Sequence, residues 1–303
     1  IYQSTFGKSD LHGYSTGVSF LADRYNETLL SKTSQFDEMT PGAFFQYTYN
    51  LHNHLSILAG VRTDYSTQYG MFVTPRLHVK TNITNWLVAR GSIGKGYRTP
   101  MPMAENTQFL ASSRQVLIDT DLNQEEALNM GANLSAFIPV GPRELMVAVD
   151  FYRTSFQNQV VRDVDSNPHA VHFYNLNGES YSNAFQAELN YEPIRGLTVN
   201  AAYRVNDVKQ TIGGVLREAP LTNRSKGLIS LSYVTPLKKW QFDYTSQFNG
   251  GGRMAGPHAH NPPWKASAEP FSLVIAPVNK KLKHWSFSVG RENFASITQA
   301  NPI

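Results

Sequence analysis

The chain has 303 residues, no cysteine, 41% hydrophobic residues and 12% aromatics, enough for one large domain or two ordinary ones. The missing cysteines exclude a disulfide framework and thiolate metal sites. The net charge of +4 comes from 27 basic residues dispersed along the chain, so it forms no patch of the kind that holds nucleic acid. No stretch approaches the roughly 18 uncharged apolar residues of a membrane helix, and the longest apolar run, 273–278, contains a proline. A membrane-spanning strand needs only about 9–11 residues, so hydropathy leaves that route open. The sequence opens at Ile1 without a basic or apolar leader, so export is not read directly from it.

Taken in chain order, apolar residues recur at every second position. They read Val18, Phe20, Ala22; then Ala43, Phe45, Tyr47, Tyr49; then Leu55, Ile57, Ala59, Val61. Further sets are Leu87 to Ile93, Leu128 to Leu134, Leu145 to Phe151, Phe185 to Tyr191, and Leu197, Val199, Ala201, Tyr203, Val205. The last are Ile229, Leu231, Tyr233; Trp240, Phe242, Tyr244; and Trp285, Phe287, Val289. Period two means strands with two unlike faces. The opposite parity carries Arg62, Asp64, Arg76, His78, Lys80, Arg90, Asp150, Glu188, Arg204 and Asp243, with many Asn, Ser and Gly.

Short turns are predicted near residues 50–53, 82–85, 139–143, 193–196 and 236–239. Long polar connections are predicted at 26–40, 97–123, 157–180, 207–222 and 249–269, with a short one at 66–70. Tyr49, Tyr191, Tyr233, Trp240 and Trp285 stand on the apolar parity beside short turns, as an interfacial girdle does. Alternating short turns and long loops, with a polar second face, predict an all-β protein, a transmembrane antiparallel up-and-down β-barrel. A soluble β-sandwich or adhesin also alternates, but its exposed face is ordinarily rich in Lys and Glu.

Few motifs carry chemistry. Gly13-Tyr14-Ser15-Thr16-Gly17 has the spacing of a nucleophile elbow, yet it opens an alternating strand with no amphipathic helix behind it. Glu125 and Glu126 are adjacent, so on a strand they point to opposite faces, and solvated loop-end charge is the reading. No catalytic residue, cofactor or metal site is assigned, and the chain is not read as an enzyme. Met254, His258 and His260, in a Gly- and Pro-rich stretch, carry two readings: contact with a metal chelate, or incidental residues of a surface loop. Arg98, Arg217 and Arg253 fall at strand ends or in long connections, where they either attract an anionic ligand or are simply solvated.

Gly94-Lys95-Gly96-Tyr97-Arg98-Thr99-Pro100 resembles the Gly-x-Gly-(Phe/Tyr)-Arg-x-Pro segment of TonB-dependent outer-membrane receptors. Glu126-Ala127-Leu128-Asn129-Met130-Gly131 is similar to the strand start that follows it. Gly290-Arg291-Glu292-Asn293-Phe294 and Gln299-Ala300-Asn301-Pro302-Ile303 resemble the segment before the final strand in Bacteroidota-type members. The resemblance implies a barrel of about 22 strands, of which this sequence supplies about thirteen. Residues 1–303 are then a partial barrel domain, with the plug, the first barrel strands and the final strand outside it. It further implies a bacterial outer-membrane receptor for uptake of a ferric siderophore, haem, cobalamin or another metal chelate. The implied partners are the TonB–ExbB–ExbD complex, reached through the N-terminal region, together with outer-membrane lipid and lipopolysaccharide. A passive porin is the alternative within transport, and an outer-membrane hydrolase the alternative outside it.

Overall fold

The computed structural model describes residues 2–9, 11–29, 32–51, 54–255 and 266–294. His258, His260 and the stretch from Gln299 to Ile303 lie outside the described residues. The first half of the chain forms β1 (Tyr2–Ser9), β2 (His12–Leu29), β3 (Lys32–Leu51), β4 (Leu55–Ser66), β5 (Gly70–Asn82) and β6 (Leu87–Arg98). After a short helix, α1 (Pro102–Glu105), come β7 (Gln115–Ile118), β8 (Glu125–Val140), β9 (Arg143–Asn158), β10 (Val160–Asp163), β11 (Ala170–Asn175) and β12 (Ser180–Ile194). The chain continues through β13 (Leu197–Ile212), β14 (Val215–Glu218), β15 (Ser225–Val234), β16 (Trp240–Asn249), β17 (Phe271–Lys281) and β18 (Ser286–Arg291).

Fifteen strands make one sheet, fourteen of them in a single path of sequential neighbours with β14 attached to β13. Fourteen strands in the path stand against about thirteen expected. The path is an up-and-down meander from β1 to β18, and among the described residues no pairing joins those two ends. The remaining three strands form a separate small sheet in the order β10-β11-β7.

Register explains why the alternation builds a wall with two solvents. One cross-sheet row reads Leu134, Val149, Ala187, Tyr203, Gly227, Phe248. The row beside it reads Asn133, Asp150, Gln186, Arg204, Lys226, Asn249. Pleating sends these rows to opposite faces, and a slip of one residue would exchange them. The apolar face stays uncovered by protein, with Tyr203 49% and Leu134 45% exposed, as a lipid-facing belt must be. The polar face is laced by side-chain bonds such as Asn133 Nδ2 to Asp150 (2.8 Å) and Ser232 Oγ to Asp243 (2.6 Å).

Cations on the apolar parity are confined to strand ends. Lys280 lies 4.6 Å from the ring centre of Trp240 beside a short turn, and Arg153 lies 4.9 Å from Tyr181 near the long-loop end. A midplane Lys or Arg costs about 2–4 kcal/mol, a penalty that falls near the interfaces. β17 breaks the alternation: Leu273 and Ile275 pair with Gln247 and Thr245 and so fall on the polar face.

Among the described residues the short turns lie where the sequence predicts them. Gly196 holds φ +87° between β12 and β13, and a Cβ there would meet the Val234 carbonyl oxygen at 2.3 Å, so only glycine fits. Two connections differ from their predictions: inside 207–222, β13 runs on to Ile212 and β14 pairs back onto it, and the other is at 26–40. Residues 26–40 are not a long loop, because β2 and β3 continue as a hairpin of 18 and 20 residues. Polar residues stand on both faces of this hairpin, so its sequence hides the strands. Cross-strand pairs hold it, with Arg24 on Asp37 and Tyr25 stacked on Phe36 at 5.0 Å.

The two faces are testable because the chain has no native cysteine to compete with spin labels. In membranes, labels at Val199, Leu231 and Phe287 should report lipid by oxygen accessibility, and labels at Asn200, Ser230 and Ser288 should not. The reverse pattern would refute the assignment of faces.

Candidate functional site

At the long-loop end the chain changes character. Residues that are buried and apolar gather here rather than in the wall: Val161, Val164, Val171 and Phe173 are all 2% exposed or less. Val164, Val171 and Phe173 pack with Phe109, Val116, Val160 and Ala255 into a small core under the β10-β11-β7 sheet. This is a miniature water-soluble fold on a membrane wall, and it fixes the loops that carry the charged side chains.

Two arginines serve as fasteners. Arg253 reaches Asp165 with Nη2 (2.7 Å) and donates Nε to the Glu218 carbonyl (2.6 Å). Its own carbonyl accepts the Leu221 N–H at 2.8 Å. The pair is largely buried, Arg253 16% and Asp165 5% exposed, and it joins three loops. Arg98, at the end of β6, binds Glu105 (3.0 Å) and Glu125. Glu125 in turn accepts the Val160 N–H at 2.9 Å, which anchors the start of β10. Thr99, next in the chain, donates to Glu38 on β3 at 3.0 Å.

Of the other residues predicted for this site, Arg217 is exposed on β14 opposite Gln210, away from these contacts. Met254 is held by its backbone N–H on the Ala266 carbonyl (3.0 Å). His258 and His260 lie outside the described residues, so the metal-chelate reading of that loop stays as it was. Glu125 and Glu126 do point to opposite sides, one to Arg98 and the other to Lys95. They are not solvated loop-end charges, since Glu125 is only 7% exposed and both are ion-paired. Ser15 sits inside β2 with no strand–turn–helix corner, which removes the elbow.

Sequence reading missed Arg162, on β10. With Arg98 it lines a cavity of about 250 Å³ whose walls include Glu105, Asn106, Gln159 and Gln210. The cavity's two carboxylates both converge on Arg98. Arg162 instead donates to the Asn106 side-chain oxygen (3.2 Å) and lies 5.8 Å from the ring centre of Phe109. Among the described residues no carboxylate lies within ion-pair range of it. Burial pushes this guanidinium below its ordinary value, the expected sign for a desolvated cation without a counter-charge. The signal in the sequence is slight: an Arg between Val160-Val161 and Asp163, whose burial depends on a sheet that no periodicity announces.

Asp163 closes the small fold. Burial works to raise its carboxyl, but the Ser166 hydroxyl, the N–H groups of Ser166 and Asp165 and the Tyr174 hydroxyl outweigh it, leaving Asp163 below the usual carboxylate value.

The profile of the family described as TonB dependent receptor-like, beta-barrel matches residues 2–293. The chain belongs to this family. Similar solved structures include the siderophore receptor PirA from Acinetobacter baumannii, with 11% identity over 97% of this chain and 49% of that one, and TM-score 0.73. A ferric enterobactin receptor (PfeA) mutant from Pseudomonas aeruginosa, in complex with enterobactin, shows 11% identity over 97% of this chain and 47% of that one, TM-score 0.73. The FrpB iron transporter from Neisseria meningitidis shows 10% identity over 96% and 49%, TM-score 0.70. The chain therefore spans about half the length of these structures. No curated protein matches it. As a TonB-dependent receptor barrel, the chain is an outer-membrane protein of a family of transporters, not enzymes.

Two outcomes follow for this receptor's mouth. Arg253→Met or Asp165→Asn should cost about 3–5 kcal/mol in the loop fold, because each strands a buried charge or its partner. Hydrogen exchange should then speed up at β10 and β11 while β12 and β13 stay protected, and Arg217→Met should change neither. Asp163 contributes stability that is present above its unfolded value near ~3.9 and is lost as pH falls through its lower folded value. Exchange in β10 and β11 should accelerate over that acid window, and Asp163→Asn should abolish this pH dependence.

Proposed function

We propose that the protein containing this chain is a TonB-energised outer-membrane receptor that imports a metal chelate, of the ferric-siderophore kind or similar in chemistry, such as haem or cobalamin. In this reading the chain is part of a longer wall. The open sheet and the half-length match to the solved receptors support that. An interior plug and the contact with TonB, ExbB and ExbD then belong to sequence outside these 303 residues.

Arg162 carries the reading at the site. A half-buried guanidinium without a carboxylate, beside the Phe109 ring and the amides of Asn106, Gln159 and Gln210, suits a flat, delocalised anion. Arg98 and Arg253 hold the cavity open and its loops in register. Met254, His258 and His260 remain candidates for contact from the neighbouring loop, and Arg217 offers long-range attraction only. No step changes the ligand covalently. Capture at the mouth is followed by rearrangement of the interior domain under the pull of TonB.

The experiment is uptake by an iron-starved host that lacks its own receptors. The probes are ferric catecholate, hydroxamate and carboxylate chelates, with haemin and cobalamin beside them. Uptake of one probe that disappears without TonB is the expected result. Arg162→Gln, present at wild-type level in the membrane, should weaken capture of an anionic probe by about 2–5 kcal/mol. A steady ion conductance without TonB-dependent uptake would establish the porin instead.

A further inference from the structure

Two neighbouring short turns repeat one pattern. Leu237-Lys238-Lys239-Trp240 leads into β16, and Leu282-Lys283-His284-Trp285 leads into β18. Each turn closes on its own backbone: the Thr235 N–H donates to the Trp240 carbonyl (3.0 Å) and the Leu282 N–H to the Trp285 carbonyl (2.8 Å). The Lys281 N–H donates to the Lys239 carbonyl at 2.8 Å, which sets the two turns side by side. Lysines far apart in the chain thus meet at one rim.

The charge at that rim is one-sided. Residues 235–240 and 280–285 hold five of the chain's twelve lysines and no Asp or Glu, so the pair of turns carries five positive charges with His284 beside them. Among the described residues no carboxylate forms an ion pair with any of the five. The short turns near 50–53, 82–85, 139–143 and 193–196 hold no lysine and at most one arginine each. A place at the edge of the belt therefore does not by itself call for such a cluster.

Register sets this charge against the outer, lipid-facing side of the wall. Tyr233, Phe242, Val278 and Val289 form one row of the apolar face, and Trp240, Lys280 and Phe287 form the next row toward the turns. Lys280 lies over the Trp240 ring at 4.6 Å, on the side that an interior domain does not reach. Lys239 and Lys281 have the other parity and add only their field. In the turns themselves Leu237 is 76% and Leu282 50% exposed. Lysines beside exposed leucines and tryptophans, at the edge of an apolar belt, make a surface suited to a bilayer interface. A soluble anion would leave both leucines in water, whereas a lipid covers them.

We propose that these two turns bind an anionic phospholipid of the periplasmic leaflet, the side to which barrels of this kind turn their short connections. Lys238, Lys280 and Lys283 hold its phosphate, while Leu237, Leu282 and the rings of Trp240 and Trp285 cover the upper part of its chains. Each lysine near the membrane surface adds to the attraction for anionic lipid. The site is separate from the mouth and does not depend on which chelate the mouth takes.

Native mass spectrometry of the delipidated full-length protein in detergent tests it, with phosphatidylglycerol, phosphatidylcholine and chain-free glycerol phosphate as probes. Phosphatidylglycerol should bind saturably, and the other two about tenfold more weakly or less. Lys238→Gln with Lys280→Gln and Lys283→Gln should weaken phosphatidylglycerol binding on the order of tenfold or more, and arginine at the same three positions should keep it. Leu237→Ser with Leu282→Ser, which leaves every lysine in place, should weaken it as well. Equal binding of phosphatidylglycerol and phosphatidylcholine, or unchanged binding in the glutamine variant, would overturn the proposal. Glycerol phosphate bound as tightly as the lipid would also overturn it, in favour of a soluble anion.

Discussion

Everything in this chain follows from one constraint: inside a bilayer, no water is available to bond a backbone N–H or C=O. A strand in hydrocarbon must find both of its ladders in neighbouring strands, and each of the twelve inner strands of the path is fixed by the two beside it. The meander is the simplest way to supply those neighbours in sequence order, and it alternates short turns with longer excursions. Because pleating sends successive side chains to opposite faces, satisfying the backbone also sorts the residues. Val199 and Leu231 stand together facing lipid, while Asn200 and Ser230 stand together facing the interior.

That sorting leaves two kinds of apolar packing in one molecule. The wall's apolar residues make a belt, covered by lipid and not by protein, so they remain exposed here. The core that resembles a soluble domain is small and lies in the mouth, around Val164, Val171 and Phe173. There the loops leave the bilayer and must order themselves against water, and the hydrophobic effect operates in its usual sense. Arg253 then adds a buried ion pair, and Arg98 a more exposed one, between these loops.

The same logic separates charges spent on structure from a charge left without a carboxylate among the described residues. Arg98, Arg253 and Glu125 are spent on structure: each has a partner of opposite sign within reach. Among the described residues Arg162 has no carboxylate in reach, only the Asn106 amide and the Phe109 ring. An uncompensated cation in a cavity with low-dielectric walls projects its field into that cavity and concentrates anions there.

The sequence by itself determined the strands, their faces and most turns, because period two and turn chemistry are local. Leu134 and Asn133 are assigned to opposite faces before any partner is known. It also placed Arg98 and Arg253 near the mouth. It failed at residues 26–40, where a hairpin polar on both faces has no apolar parity to betray it. It failed at Glu125, whose burial comes from Arg98 and Val160 rather than from its neighbours in the chain. Only the tertiary structure decided that Glu125 meets Arg98 and Asp165 meets Arg253, across 27 and 88 residues of chain. Alternation is a property of one strand, but a charge's role is set by register and loop packing between strands, which no local pattern records.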